Sequence, residues 1–115
     1  MYTGNVHRKP PRRLSNFLLN VEMSKNWGLD LYIIQTEGMT KLGRSQHPQV
    51  RCREIQRGMP WSPCHLWAVF PAAGHLEAAV HRALAARYEK FAEWYKASPQ
   101  HIVAVVASHI AALEV

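Results

Sequence analysis

Leu29-Asp30-Leu31-Tyr32-Ile33-Ile34-Gln35, then Glu37-Gly38, then Thr40-Lys41-Leu42-Gly43-Arg44 is the stretch that decides the fold. The first seven residues are rich in β-branched and aromatic side chains, which suit a buried, pleated strand. Glu37-Gly38 turns the chain, and Thr40 to Arg44 returns as the partner strand of a β-hairpin. Working outward, Ser45 reads as the cap of a helix with Pro48 in its first turn, running through Val50, Cys52 and Ile55. Gly58 is its stop. Prolines 60 and 63 make Met59 to Pro63 a loop, and His65 to Phe70 reads as a third strand ended by Pro71.

From His75 the spacing becomes helical, with Leu76, Ala79, Val80, Ala83, Leu84 and Tyr88 on one apolar stripe. Phe91 to Tyr95 interrupts it. Ser98 and Pro99 open a last helix, with Ile102, Val106, Ile110 and Leu113 facing inward. The order is hairpin, helix, strand, helix, helix. This predicts a small α/β (α+β) domain over residues 29–115, a three-stranded antiparallel sheet flanked by helices. Before it, residues 1–28 read as a basic arm, His7-Arg8-Lys9-Pro10-Pro11-Arg12-Arg13, and a short helix carrying Leu14, Phe17, Leu18 and Val21.

The chain has 115 residues, enough for one domain with an ordinary core. Its 48% hydrophobic and 19% charged content describes a globular chain. The net charge of +6 and a pI near 9.8 favour an anionic partner, with nucleic acid the commonest. Cys52 and Cys64 fit neither a zinc spacing nor a disulfide framework. No apolar run reaches the ~18 residues that would span a bilayer, and the N-terminus lacks the apolar core of a signal peptide. A cytoplasmic protein is expected, with no membrane partner.

The hairpin and the helix after it bring Tyr32, Lys41 and Arg51 near one another. A proton acceptor beside a nucleophilic water, with cations against the phosphoryl oxygens, is what phosphodiester hydrolysis needs. Glu77 and His81, four apart, project from one helix face. A lone carboxylate with water in the other positions is a common Mg²⁺ arrangement at phosphate chemistry, and His81 would relay a proton or orient a phosphate. Each residue alone has an ordinary explanation: a surface pair, a surface arginine, a core tyrosine, an edge lysine. Together they form a pattern. Arg44, Arg53 and Arg57 are the candidates for further phosphate contacts. Trp61, Trp67 and Trp94 read mainly as packing residues with stacking on bases as the alternative, and the scattered histidines make no zinc pattern.

Residues 30–96 resemble a GIY-YIG nuclease domain, of the phage-type branch whose second motif reads Lys-Ile-Gly. Leu31-Tyr32-Ile33-Ile34 stands at the first motif and Lys41-Leu42-Gly43 at the second. Ser45 stands at the usual threonine or serine, Arg51 at the helix arginine, and Arg53-Glu54-Ile55-Gln56-Arg57-Gly58 at the helix end. Glu77-Ala78-Ala79-Val80-His81 resembles Glu-x-x-x-His, and Glu93-Trp94-Tyr95 resembles Gly-Glu-Trp-Phe. The resemblance implies a metal-dependent DNA endonuclease with a single active site, bacterial or phage-encoded. It gives Tyr32 deprotonation of the attacking water, Arg51 the pentacovalent phosphate, and Glu77 one divalent metal, Mg²⁺ or Mn²⁺.

The arm at residues 1–13 is too short to read sequence by itself. Weak sequence preference, recognition of a DNA structure, or a protein partner that supplies targeting is expected. Two rivals use the same fold: a non-catalytic nucleic-acid-binding module, and a small phage-type protein-interaction protein with an apolar patch around Met59, Trp61 and Trp67. Whether Glu93 assists the metal stays open at this level.

Overall fold

The structure is a computed structural model that describes residues 28–113. The basic arm and the helix expected around Leu14 to Val21 lie outside those residues. The hairpin forms where the sequence places it: β1 spans Asp30–Thr36 and β2 Met39–Ser45, paired antiparallel with Tyr32 opposite Gly43 and Ile34 opposite Lys41. Strand alternation sends Leu31, Ile33 and Leu42 into the main core and leaves Tyr32, Lys41 and Gly43 on the other face. β3, His65–Phe70, adds to the free side of β1.

The sheet has five strands in the order β3-β1-β2-β5-β4, not three. The extra pair is a small hairpin, β4 at Lys90–Phe91 and β5 at Trp94–Tyr95, docked on β2 through Thr40 opposite Tyr95 and Lys41 opposite Trp94. Two-residue strands are too short to show period-2 alternation, so the segment reads in sequence as an interruption between helices. Ala92 turns this hairpin at φ +55°, a left-handed conformation that costs an L-residue about 1–2 kcal/mol. Ala92→Gly is therefore expected to raise the unfolding midpoint by up to about 6 °C, the strain relief exceeding the ~0.5–1 kcal/mol entropic cost of glycine. Thermal unfolding followed by circular dichroism checks this, and a lowered midpoint contradicts it.

Helix α1 spans Pro48–Gly58 and lies against β1, β2 and β3. Its N-cap is His47, with no side-chain cap bond, rather than Ser45. The Ser45 Oγ instead accepts the His47 N–H at 2.9 Å, closing a local turn just ahead of the helix. Gln56 fixes the other end. Its Nε2 donates to the Met59 and Ser62 carbonyls at 3.1 and 2.9 Å, and its Oε1 accepts the Cys64 N–H at 2.7 Å. One side chain thus ties α1, the proline loop and the start of β3 together.

After β3 the chain makes a 3-10 turn over Gly74–Leu76 before helix α2, Glu77–Ala85, so α2 starts later than the stripe from His75 suggests. Two tethers fix that start. The Asp30 carboxylate accepts the N–H of Ala72, itself left-handed at φ +58°, and the Gly74 N–H donates to the Leu29 carbonyl at 2.9 Å. A side chain at Gly74 would begin 2.7 Å from the Leu29 Cβ, so only glycine allows the approach.

Helix α3 spans Pro99–Leu113. Ile102 and Val106 are fully buried, with Ile110 and Leu113 packed against the same cluster. It joins Val80 and Leu84 of α2 over the sheet, each fully buried aliphatic side chain contributing about 1.5–3 kcal/mol. Ser98 caps it, its Oγ accepting the His101 N–H at 3.3 Å. Ser98→Ala is expected to cost about 1 kcal/mol and lower the midpoint by roughly 4 °C in the same assay, whereas an unchanged midpoint would remove the cap from the account.

Candidate active site

Tyr32, in the middle of β1, is almost fully buried. Its ring lies across β2 at Gly43, where a Cβ would stand 2.5 Å from the tyrosine Cζ. The glycine in Lys41-Leu42-Gly43 is thus the space the phenol occupies. Arg51, on the exposed side of α1, lies close enough to the Tyr32 hydroxyl to act on it through side-chain hydrogen bonding and charge. Burial raises the Tyr32 phenol above its ordinary value, the Arg51 hydrogen bond and charge oppose this, and Glu93 and Glu77 add to it. The bond to Tyr32, then that to Glu54 at 3.3 Å, holds the Arg51 guanidinium firmly protonated.

Across from this pair, α2 presents Glu77 and His81 one turn apart. The two Glu77 oxygens have different neighbours: Oε1 is 3.3 Å from Arg44 Nε, and Oε2 is 3.6 Å from His81 Nε2. The turn of the small hairpin brings in Glu93, whose Oε1 is ion-paired with the buried ammonium of Lys41. Burial works against ionisation of Glu93, but the hydrogen bond and charge of Lys41, with His81 and Arg51 beyond, outweigh it and lower its pKa. The Lys41 ammonium also stands 6.0 Å from the Trp94 ring centroid. His81 Nδ1 is hydrogen-bonded to the Tyr95 hydroxyl, whose pKa is pushed up to about 12 by burial and by the Glu93 and Glu77 charges.

Ligand atoms of Glu77, His81 and Glu93 all lie within 4.8 Å of one another. The donor set of two carboxylates and an imidazole suits a divalent ion. His81 Nε2 is buried without a hydrogen-bond partner, so an ion there would satisfy an atom that the fold leaves unsatisfied. The residues present therefore fit a metal.

The structure brings Tyr32, Lys41, Arg44, Arg51, Glu77 and His81 into one neighbourhood. Arg53 and Arg57 are exposed, but helical spacing turns them roughly 120–160° away from Arg51, onto another flank of α1. Trp61 is 79% exposed in the proline loop, while Trp67 and Trp94 are half-buried. Cys52 is half-buried, its Sγ 4.0 Å from the Cys64 carbonyl. Glu93 and Tyr95 are the site neighbours whose roles the sequence left unassigned. Both sit on the short hairpin, and only its pairing with β2 reveals where their side chains go.

A small antiparallel α+β domain with a carboxylate–imidazole cluster beside a tyrosine–arginine pair defines the class. Residues 31–109 match the T5orf172 domain, and the chain belongs to that family, a phage-associated domain of the nuclease-related class. No curated protein and no solved structure matches the chain. Among the described residues, no helix is long and apolar enough to cross a membrane.

Proposed function

We propose that the chain is a metal-dependent endonuclease that hydrolyses DNA phosphodiester bonds at a single GIY-YIG-type site. The observation that carries this reading is the meeting of Glu77, His81 and Glu93 ligand atoms within 4.8 Å of one another, with Tyr32 and Arg51 beside them. Acid–base, cationic and metal-ligating groups there share one neighbourhood on a basic chain.

Arg51 places a permanent charge, half open to solvent, where a phosphoryl group would build negative charge. Tyr32 is a neutral phenol in the free protein, so its oxygen orients the attacking water. The Arg51 side chain favours the phenolate, and once the phenol proton has passed to solvent the Tyr32 oxygen can take the proton of the attacking water. Arg44 and Lys41 each hold one carboxylate in place. A divalent ion, Mg²⁺ or Mn²⁺, held by Glu77 would supply Lewis-acid charge at the phosphate and leaving oxygens. With the two arginines of α1 on another flank, Arg53 and Arg57 would contact phosphates away from the scissile one. The domain is expected to show weak sequence preference, or to be targeted by DNA structure or a protein partner.

An end-labelled DNA duplex tests the reading. Cleavage by the wild-type chain that needs a divalent ion, stops with EDTA and is lost in Glu77→Gln is expected. Salt-sensitive binding with no cleavage across several divalent ions and DNA forms would replace it with the non-catalytic binding module.

A further inference from the structure

The site offers more than one carboxylate. We infer that Glu77, His81 and Glu93 together hold one divalent ion through two carboxylates and the His81 Nε2, a set that selects a transition-series ion over Mg²⁺, with Tyr95 as the positioning residue. This deepens the nuclease reading and concerns the ion of the same site.

Geometry supplies the first argument. Bonds of about 2.1 Å put neighbouring ligands of one ion about 3 Å apart and opposite ones about 4.2 Å apart. The Glu77 Oε2 to His81 Nε2 separation of 3.6 Å falls inside that range. The three-residue limit of 4.8 Å needs a closure of a few tenths of an ångström, and the half-exposed Glu93 side chain can supply it. Glu77 and His81 are held more firmly, since both sit on α2 and are mostly buried.

The second argument is the state of the imidazole. The Tyr95 hydroxyl is hydrogen-bonded to His81 Nδ1 and lies 3.4 Å from the His81 main-chain carbonyl. An ion on Nε2 requires the ring proton on Nδ1, and the Tyr95 oxygen is placed to accept it while its own proton goes to that carbonyl. Nε2 is buried, without a hydrogen-bond partner, and 3.6 Å from Glu77 Oε2. Metal-bound histidines generally donate their other ring N–H in this way, which fixes the tautomer and ring orientation. Tyr95 is itself fully buried in β5.

Selectivity follows from the ligand types. Mg²⁺ sheds water reluctantly and is bound through oxygen, whereas imidazole nitrogen adds affinity for ions of the transition series. Mn²⁺ is the weakest binder of that series, so it is the most demanding probe.

The test uses the tag-free full chain without DNA. Binding of Mn²⁺ is followed by loss of the free-ion electron paramagnetic resonance signal, and the bound ion is examined for ¹⁴N coupling by pulsed methods. One Mn²⁺ per chain, displaced by Mg²⁺ only at 100-fold excess or more, with ¹⁴N coupling that vanishes in His81→Ala, is expected. Glu93→Gln and Tyr95→Phe should each weaken Mn²⁺ binding about 10–100-fold. Bound Mn²⁺ without ¹⁴N coupling in the wild-type chain, equal affinity for Mg²⁺, or no binding would overturn the inference, and none of these depends on a folded variant. DNA cleavage is scored separately. Bound, nitrogen-coupled Mn²⁺ without cleavage defeats the nuclease reading alone, and Mg²⁺-driven cleavage without nitrogen coupling defeats this inference alone.

Discussion

Replacing Arg51 with alanine is expected to slow DNA cleavage by about 10²–10³-fold while leaving the fold intact. Removing one preorganised donor to developing oxyanion charge typically costs that much in rate. The charge at this position is permanent and lies against Tyr32. The side chain is half exposed, and its pairing with Glu54 is a surface ion pair that contributes little to stability. Arg51→Lys should recover only part of the rate, because an ammonium keeps the charge and loses the planar fork of donors. Single-turnover cleavage rates, read beside thermal unfolding, separate the two effects. A variant as active as the wild type would take Arg51 out of the chemistry.

Gly43→Ala should be the most damaging methyl group that can be added to the site. In an ordinary strand this substitution would be mildly favourable, because glycine loses about 0.5–1 kcal/mol of entropy relative to alanine. Here the new Cβ would start 2.5 Å from Tyr32 Cζ, and the ring is almost fully buried where it lies across β2. Overpacking of this kind typically costs about 1–3 kcal/mol, roughly 4–12 °C in midpoint for a chain of this size. If the ring yields instead, the hydroxyl leaves Arg51 and cleavage falls. Unfolding midpoints and cleavage rates of the one variant cover both routes. Full stability together with full activity would contradict the placement of Tyr32.

Much of this arrangement is legible in the chain because its signals are local. The β1–β2 hairpin follows from the density of Tyr32, Ile33 and Ile34 before Glu37-Gly38, and the α3 start from Ser98-Pro99. Glu77 and His81 share a face because helical spacing requires it. Four features are not legible. Ser45 makes a turn rather than a cap, a choice set by local backbone geometry that sequence preference does not resolve. The five-stranded sheet depends on two-residue strands without a periodic signal. Because that hairpin docks by tertiary pairing alone, the meeting of Glu93 with Lys41, 52 residues apart, and of Tyr95 with His81, was beyond local reading. The reason for Gly43 also appears only when the ring of Tyr32 is seen lying across it.

The central claim is that one cluster, Tyr32 and Arg51 with Glu77, cuts DNA. Supercoiled plasmid incubated with the tag-free chain and Mg²⁺ or Mn²⁺, beside an EDTA control and the Arg51→Ala and Glu77→Ala variants, tests it most directly. Nicking or linearisation that requires the ion and is lost in both variants is the predicted result. Intact plasmid with either ion, or cleavage that persists in both variants, would contradict it.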